Sequence, residues 1–216
     1  MRPRLLDLFC GAGGAARGYQ LAGFYVVGVD ISPQPRYAGD EFILADALDP
    51  PVFYDELDAI HASPPCQAYG DLQKQSKREY PDLIAPTREL LVASGLPYVI
   101  ENVEGAPLQN PITLCGSSFD LDVRRHRLFE CSFPVMALPC AHNRPKKFET
   151  YRHGKVIATA SVPVYGTGGG KAAEHWADAM GIDWMDRAGL AQAIPPAYSE
   201  HIGGYLLAEL EARAVA

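Results

Sequence analysis

The chain of 216 residues has no run of about 18 apolar residues, which excludes a membrane-crossing helix of ordinary length. It also lacks a charged n-region followed by a long apolar stretch, because Met1-Arg2-Pro3-Arg4 passes straight into strand-like sequence, and a secreted protein is not expected. Cysteines are few and odd in number: Cys10, Cys66, Cys115, Cys131 and Cys140 show no paired spacing. That excludes a closed disulfide framework, points to a reducing cytoplasm, and leaves at least one thiol free to react. No internal repeat is present, and the one low-complexity stretch is Gly168-Gly169-Gly170. Positive charge is also in deficit, with 19 Lys and Arg against 26 Asp and Glu and a net charge of −7. Taken alone, this balance counts against a nucleic-acid partner. The bases nevertheless gather at Arg124, Arg125 and Arg127 and again at Arg144, Lys146, Lys147, Arg152 and Lys155, so one basic face is compatible with the acidic total.

What is present fits one soluble core, with 48% hydrophobic and 21% charged residues. The first half alternates short β-like runs with helical patterns, the form of an α/β sheet of parallel strands wound with helices. Strands are expected at Arg4 to Phe9, Phe24 to Asp30, Phe42 to Ala45, Asp58 to His61 and Tyr98 to Glu101. Helices are expected at Gly13 to Leu21 and Asp82 to Ser94. From Leu128 to Lys171 periodicity fades while Pro, Gly and basic residues rise, which predicts an irregular insertion. Helical patterns return at Glu174 to Met185 and Tyr198 to Ala214. The expected organisation is a catalytic core at 1–130, a small insertion at 131–170 and C-terminal helices at 171–216 that return to the core.

Ligands of such sheets sit beyond the carboxyl ends of the strands, and the residues there carry the chemistry. Asp7-Leu8-Phe9-Cys10-Gly11-Ala12-Gly13-Gly14 is a strand running into a glycine turn that opens a helix. Such a turn can hold NAD, a phosphate or S-adenosylmethionine. Asp30 and Asp46 end or follow the next two strands, at positions suited to ribose hydroxyls and an adenine edge. Pro64-Pro65-Cys66-Gln67 puts a thiol on a stiffened turn after a strand, an unusual place for a core cysteine. Glu101 and Asn102 close an apolar strand, where a carboxyl group tends to hold its proton. In Arg124-Arg125-His126-Arg127-Leu128-Phe129, strand alternation would place Arg125 and Arg127 on one side.

In this order, and over nearly the whole chain, these segments resemble the cytosine-5 DNA methyltransferases, in particular the small phage or restriction-modification type. Ala193-Ile194-Pro195-Pro196-Ala197-Tyr198 through Ile202-Gly203 is similar to that family's closing motif. The resemblance implies a Rossmann-like methyltransferase sheet and S-adenosyl-L-methionine as cofactor, held by Asp7, Phe9, Gly11, Gly13, Asp30, Ile31, Asp46, Ala47, Pro65 and Gln192. It implies Cys66 as nucleophile on a cytosine flipped from duplex DNA, Glu101 at ring N3, and Asn102 holding the turn. Arg127 would contact the base carbonyl and Arg125 would orient Glu101. Ala68 to Tyr80 would be the loop that closes over the base, and the basic residues of the insertion would meet phosphates. The expected setting is the cytoplasm of a bacterial or phage-infected cell, as a monomer with no membrane partner; a cognate restriction nuclease is one candidate partner. The sequence departs from the family at Val123, Gly70 and Gln192, where glutamine, serine and asparagine are usual.

Two readings compete. Related tRNA cytosine methyltransferases carry a similar Pro-Pro-Cys-Gln segment, and a catalytically silent nucleic-acid-binding relative would keep the fold. A nicotinamide-dependent oxidoreductase would explain the glycine turn but not Pro65-Cys66 with Glu101-Asn102. Cys131, Cys140, His142 and His153 match no common zinc spacing, so the sequence is read as holding no metal, with Cys10 and Cys115 structural. Trp176, Met180 and Trp184 recur at helical spacing and are expected in a core.

Overall fold

The computed structural model describes residues 1–69, 80–152, 155–164 and 174–215. Among them, seven strands build one sheet: β1 (Arg4–Leu8), β2 (Tyr25–Asp30), β3 (Glu41–Leu44), β4 (Ala59–Ala62), β5 (Tyr98–Asn102), β6 (Ile112–Leu114) and β7 (Arg127–Cys131), in the order β3-β2-β1-β4-β5-β7-β6. The first five run parallel. β7 is antiparallel to both β5 and β6.

Alternate residues of the central strands feed two apolar layers, so both faces of the sheet are covered and its strands read as nearly continuous hydrophobic runs. Leu5, Val26, Ala59, Val99 and Phe129 pack on one side with Tyr19 of α1 (Gly14–Ala22) and Tyr198, Ile202 and Leu206 of α5 (Pro196–Ala214). Leu6, Leu8, Val27, Val29, Ile60 and Ile100 pack on the other with Leu91 of α2 (Ile84–Ser94). α2 is also tied to β7, since Arg88 Nε and Nη2 donate to Glu130 Oε1 and Oε2 at 2.8 and 2.7 Å.

α1 and α5 approach very closely. A Cβ on Gly18 would lie 2.0 Å from the Pro196 carbonyl oxygen and 2.1 Å from Ser199 Oγ, so only glycine fits. Ser199 Oγ donates to Ala15 O at 2.8 Å across the same contact. Registers Leu8↔Val29, Leu8↔Ala62, Asp30↔Leu44 and Ala62↔Ile100 align the carboxyl ends of the five parallel strands along one edge. The candidate site lies on that edge.

Three expectations need correction. The helix expected over Glu174 to Met185 is shorter: α3 (Trp176–Met180) ends at Gly181, whose φ of 67° is left-handed and stops the helix. Trp176 and Met180 are nonetheless fully buried, and Trp184 packs against the same cluster. The stretch from Leu128 is less irregular than expected, because it holds most of β7 and an antiparallel hairpin of β8 (Phe148–Arg152) and β9 (Lys155–Thr159). Finally, Arg125 has a φ of 37°, so the extended strand begins only at Arg127 and simple alternation does not set where the two arginines point. A short helix unforeseen from the sequence, α4 (Arg187–Gln192), is capped by the Asp186 side chain, which accepts from Gly189 N.

Candidate active site

The glycine turn leaves β1 through residues with unusual backbone. Phe9 has a φ of 57°, strained for a residue with a side chain, and Gly11 and Gly13 have φ of 49° and 84°. Strain of this kind is kept where surrounding structure enforces it, typically at functional sites. A Cβ at Gly11 would meet nothing within 4 Å, so that side of the turn is open to a ligand. Asp30 fixes the turn: its Oδ2 accepts from Gly11 N at 3.0 Å and its Oδ1 from Ser32 N at 2.9 Å. A carboxylate so held still has lone pairs for ribose hydroxyls.

Asp7 is fully buried, and neither carboxylate oxygen has a hydrogen-bond partner among the described residues. Burial, with Asp30 and Glu101 nearby, pushes its pKa well above the usual carboxylate range. An orphaned acid beside two further carboxyl groups suits a cationic ligand, and S-adenosylmethionine carries a sulfonium and an ammonium. The donor set therefore fits that cofactor. Asp46 lies exposed just past β3, its Oδ1 accepting from Leu48 N, with Ala47 buried beside it. Ile31 is exposed after β2. Gln192 ends α4, and Ala193 and Ile194 beyond it lie against Gly14 at the start of α1.

Cys66 is exposed on the turn after β4 and Pro65 is exposed beside it. Asn102, buried at the end of β5, clamps this turn: its Nδ2 donates to Pro64 O at 2.8 Å while its Oδ1 accepts from Val103 N at 2.9 Å. Glu101 is buried, and Arg127 Nε lies 3.1 Å from its Oε1. Burial raises the Glu101 pKa, opposed by Arg127, a hydrogen bond from Ser63, and Arg125. Burial wins, so the carboxyl group holds a proton more tightly than a free glutamate does.

Arg127, which the family resemblance places on the base carbonyl, is the arginine beside Glu101. Arg127 pairs with Glu101, whereas Arg125 donates through Nη1 to Val164 O and through Nη2 to Ala191 O, both at 2.7 Å. The left-handed backbone at Arg125 directs its side chain toward the C-terminal segment. Its Nε is buried with no partner among the described residues. Burial and Arg127 bring this guanidinium down to about 9, while Glu101, Tyr198 and Cys66 act the other way, which places Cys66 in the same electrostatic cluster.

Other residues were not singled out from the sequence. Ser63 joins Glu101 to His61, whose Nε2 is 2.9 Å from Ser63 Oγ and whose Nδ1 is 3.0 Å from Tyr19 Oη. Trp184 Nε1 donates to Ala12 O inside the glycine turn at 2.9 Å. Ser63 sits next to the Pro-Pro-Cys motif and could have been suspected; Trp184 is expected from its spacing only as core packing, and nothing local marks its bond to the glycine turn. Among the basic residues assigned to phosphates, Arg144 is already engaged by Asp120 Oδ1, Ser117 O and Leu121 O at 2.6, 3.0 and 3.3 Å. Lys146 and Lys155 are exposed. Most of the expected closing loop, residues 70–79, lies outside the described residues, as does His153. Cys131 packs against the main core at the end of β7, apart from Cys140 and His142, which instead meet Cys115 and His126.

No family model matches the sequence, and no curated protein is similar to it. Among solved structures, the chain is similar to a protein described as a DNA modification methyltransferase encoded within a prophage of E. coli, with a TM-score of 0.64 and 15% identity over 97% of this chain and 99% of that one. It is also similar to the Dnmt2 methyltransferase of S. pombe, with a TM-score of 0.61 and 13% identity over 97% and 99% of the two chains. At these identities the likeness establishes the shared fold, a Rossmann-like methyltransferase sheet.

Proposed function

We propose that the chain transfers a methyl group from S-adenosylmethionine to carbon 5 of a cytosine in DNA, through a covalent bond between Cys66 and carbon 6. The observation that carries this reading is the Cys66 turn, fastened by Asn102 next to a buried, proton-retaining Glu101 on the same sheet edge as the orphaned Asp7. Carbon 5 of cytosine is a poor nucleophile, and the residues present answer that difficulty. As the Cys66 sulfur bonds to carbon 6, the ring's electron pair moves toward carbon 5 and Glu101 gives its proton to N3. Arg127 stabilises the carboxylate that Glu101 becomes, and Arg125 anchors the segment that carries it. S-adenosylmethionine, which the glycine turn and Asp30 would hold, would supply the electrophilic methyl group that carbon 5 takes, with a neutral thioether as the leaving group. Return of the N3 proton to Glu101 and loss of the carbon 5 proton to a base then expel the Cys66 thiolate and restore aromaticity. Because the attack comes from outside the ring plane, the base must leave the helical stack.

The test is transfer of tritiated methyl groups to duplex DNA and to tRNA by the wild type and by Cys66→Ser, with base-resolution mapping of the product. Label on DNA cytosine at carbon 5, lost in Cys66→Ser, is the expected result, together with a covalent adduct to DNA containing 5-fluorocytosine. Label in tRNA alone would replace the polymer, and undiminished transfer by Cys66→Ser would remove the covalent mechanism.

A further inference from the structure

Cys115, His126, Cys140 and His142 bring two thiols and two imidazoles together, with one ligand atom of each within 4.8 Å of all the others. They come from three pieces of chain. Cys115 follows β6, His126 stands just before β7, and Cys140 and His142 lie between β7 and β8. His126 Nε2 is 3.3 Å from His142 Nε2, Cys115 Sγ is 3.3 Å from His142 Nε2, and Cys140 Sγ is 3.6 Å from His126 Nε2. Four ligands at the tetrahedral corners around zinc, at the usual Zn–N and Zn–S lengths, stand about 3.3 Å apart for two nitrogens and about 3.6 Å for nitrogen and sulfur. The His126–His142 and Cys140–His126 separations match those edges, and the Cys115–His142 separation of 3.3 Å is shorter than its edge.

We propose that these four residues bind one zinc ion in a closed, structural Cys2His2 site. Supporting groups surround it. Glu104 Oε1 lies 3.4 Å from His126 Nδ1, as expected of a carboxylate that fixes the tautomer and leaves Nε2 to the metal. The Ser117 hydroxyl, 3.1 Å from Cys115 Sγ, can donate to the thiolate. Binding converts two thiols to thiolates and releases two protons to solvent, so charge and atoms balance. The ion would tie the end of β6 and the base of the insertion to the short segment between Arg125 and Arg127. A segment with little core of its own gains a fixed anchor, and the two arginines gain a fixed backbone. The metal site does not depend on the methyl-transfer reading.

The full-length protein, purified without a histidine tag and dialysed against metal-free buffer, should retain about one zinc per chain by mass spectrometry of the metal. Cys131→Ala should retain it, and Cys140→Ser and His142→Ala should each lower metal affinity by about 10-fold or more. Because those variants could unfold, cobalt(II) is also titrated into the chelator-stripped wild type. Tetrahedral ligand-field bands and thiolate-to-cobalt charge transfer, saturating at about one equivalent and abolished by zinc, are expected. A folded wild type with neither zinc nor a cobalt spectrum, or with Cys115 and Cys140 joined in a disulfide, would overturn the proposal. So would metal lost from Cys131→Ala but kept by Cys140→Ser.

Discussion

Asn102 uses one amide for two tasks, holding the Cys66 turn through Pro64 O and bracing its own strand end through Val103 N. Cutting it to alanine removes the clamp without deleting any of the proposed reacting groups, and leaves the Cys66 turn free to shift. Asn102→Ala should therefore lower kcat by about 100-fold, the scale expected when a reactive group is displaced by about 1 Å, with a much smaller change in cofactor affinity. Calorimetry with S-adenosylhomocysteine beside steady-state kinetics would check this; unchanged kcat would deny Asn102 a positioning role. At this scale, short motifs were readable because each packs several uncommon choices into consecutive residues, as in Pro64-Pro65-Cys66-Gln67. Partnerships that cross the fold were not. Strand alternation could not foresee the left-handed backbone at Arg125, and no local pattern says that Arg144 is already engaged by Asp120.

Among the elements, the contact between α1 and α5 depends most sharply on one side chain being absent. Gly18→Ala places a methyl group against the backbone carbonyl of Pro196, which cannot rotate away, so the helices must separate. Overpacking of this kind costs about 3 kcal/mol at the upper end of its usual range. Thermal unfolding should show a large drop in Tm for Gly18→Ala, against a small change for Gly204→Ala on the same α5, where a Cβ meets nothing within 4 Å. Equal effects would mean that the close approach contributes little. The parallel strands were legible because buried strands read as nearly continuous apolar runs, and α1 because its apolar residues fall on one face. The hairpin β8–β9 was hidden by the surrounding Pro, Gly and Lys, and most of β9 is exposed, so no apolar alternation announced it. The antiparallel placement of β7 between β5 and β6 is a matter of strand order, which periodicity does not encode.

For the molecule as a whole, two buried titrating groups on neighbouring strands, Asp7 and His61, set a pH dependence of stability. Folded Asp7 keeps its proton, so above about pH 4 the unfolded chain releases a proton that the folded one retains, and stability falls as pH rises. Folded His61 is held neutral, its pKa lowered by burial to about 3, so stability is lost as pH falls below about 6.5. Above about pH 4 the two slopes oppose each other, and above about pH 6.5 His61 no longer contributes. In urea unfolding without cofactor, the stability of Asp7→Asn relative to wild type should climb with pH from about 4 upward, by up to about 1.4 kcal/mol per unit. A difference that stays constant between acidic and mildly alkaline buffer would mean that Asp7 is ionised in the fold. At this scale the sequence disclosed the layered architecture but not the cluster of Cys115, His126, Cys140 and His142, whose members come from three segments and follow no familiar metal-binding interval.

The hydrogen bonds from Trp184 to Ala12 and from Ser199 to Ala15 span 172 and 184 residues. The glycine turn is thus completed by residues that lie far downstream of it in the chain. A nascent polypeptide cannot finish its glycine turn until these downstream residues emerge, and distant pairings of this kind slow folding. The turn therefore gains its full set of bonds only after that downstream segment has been made.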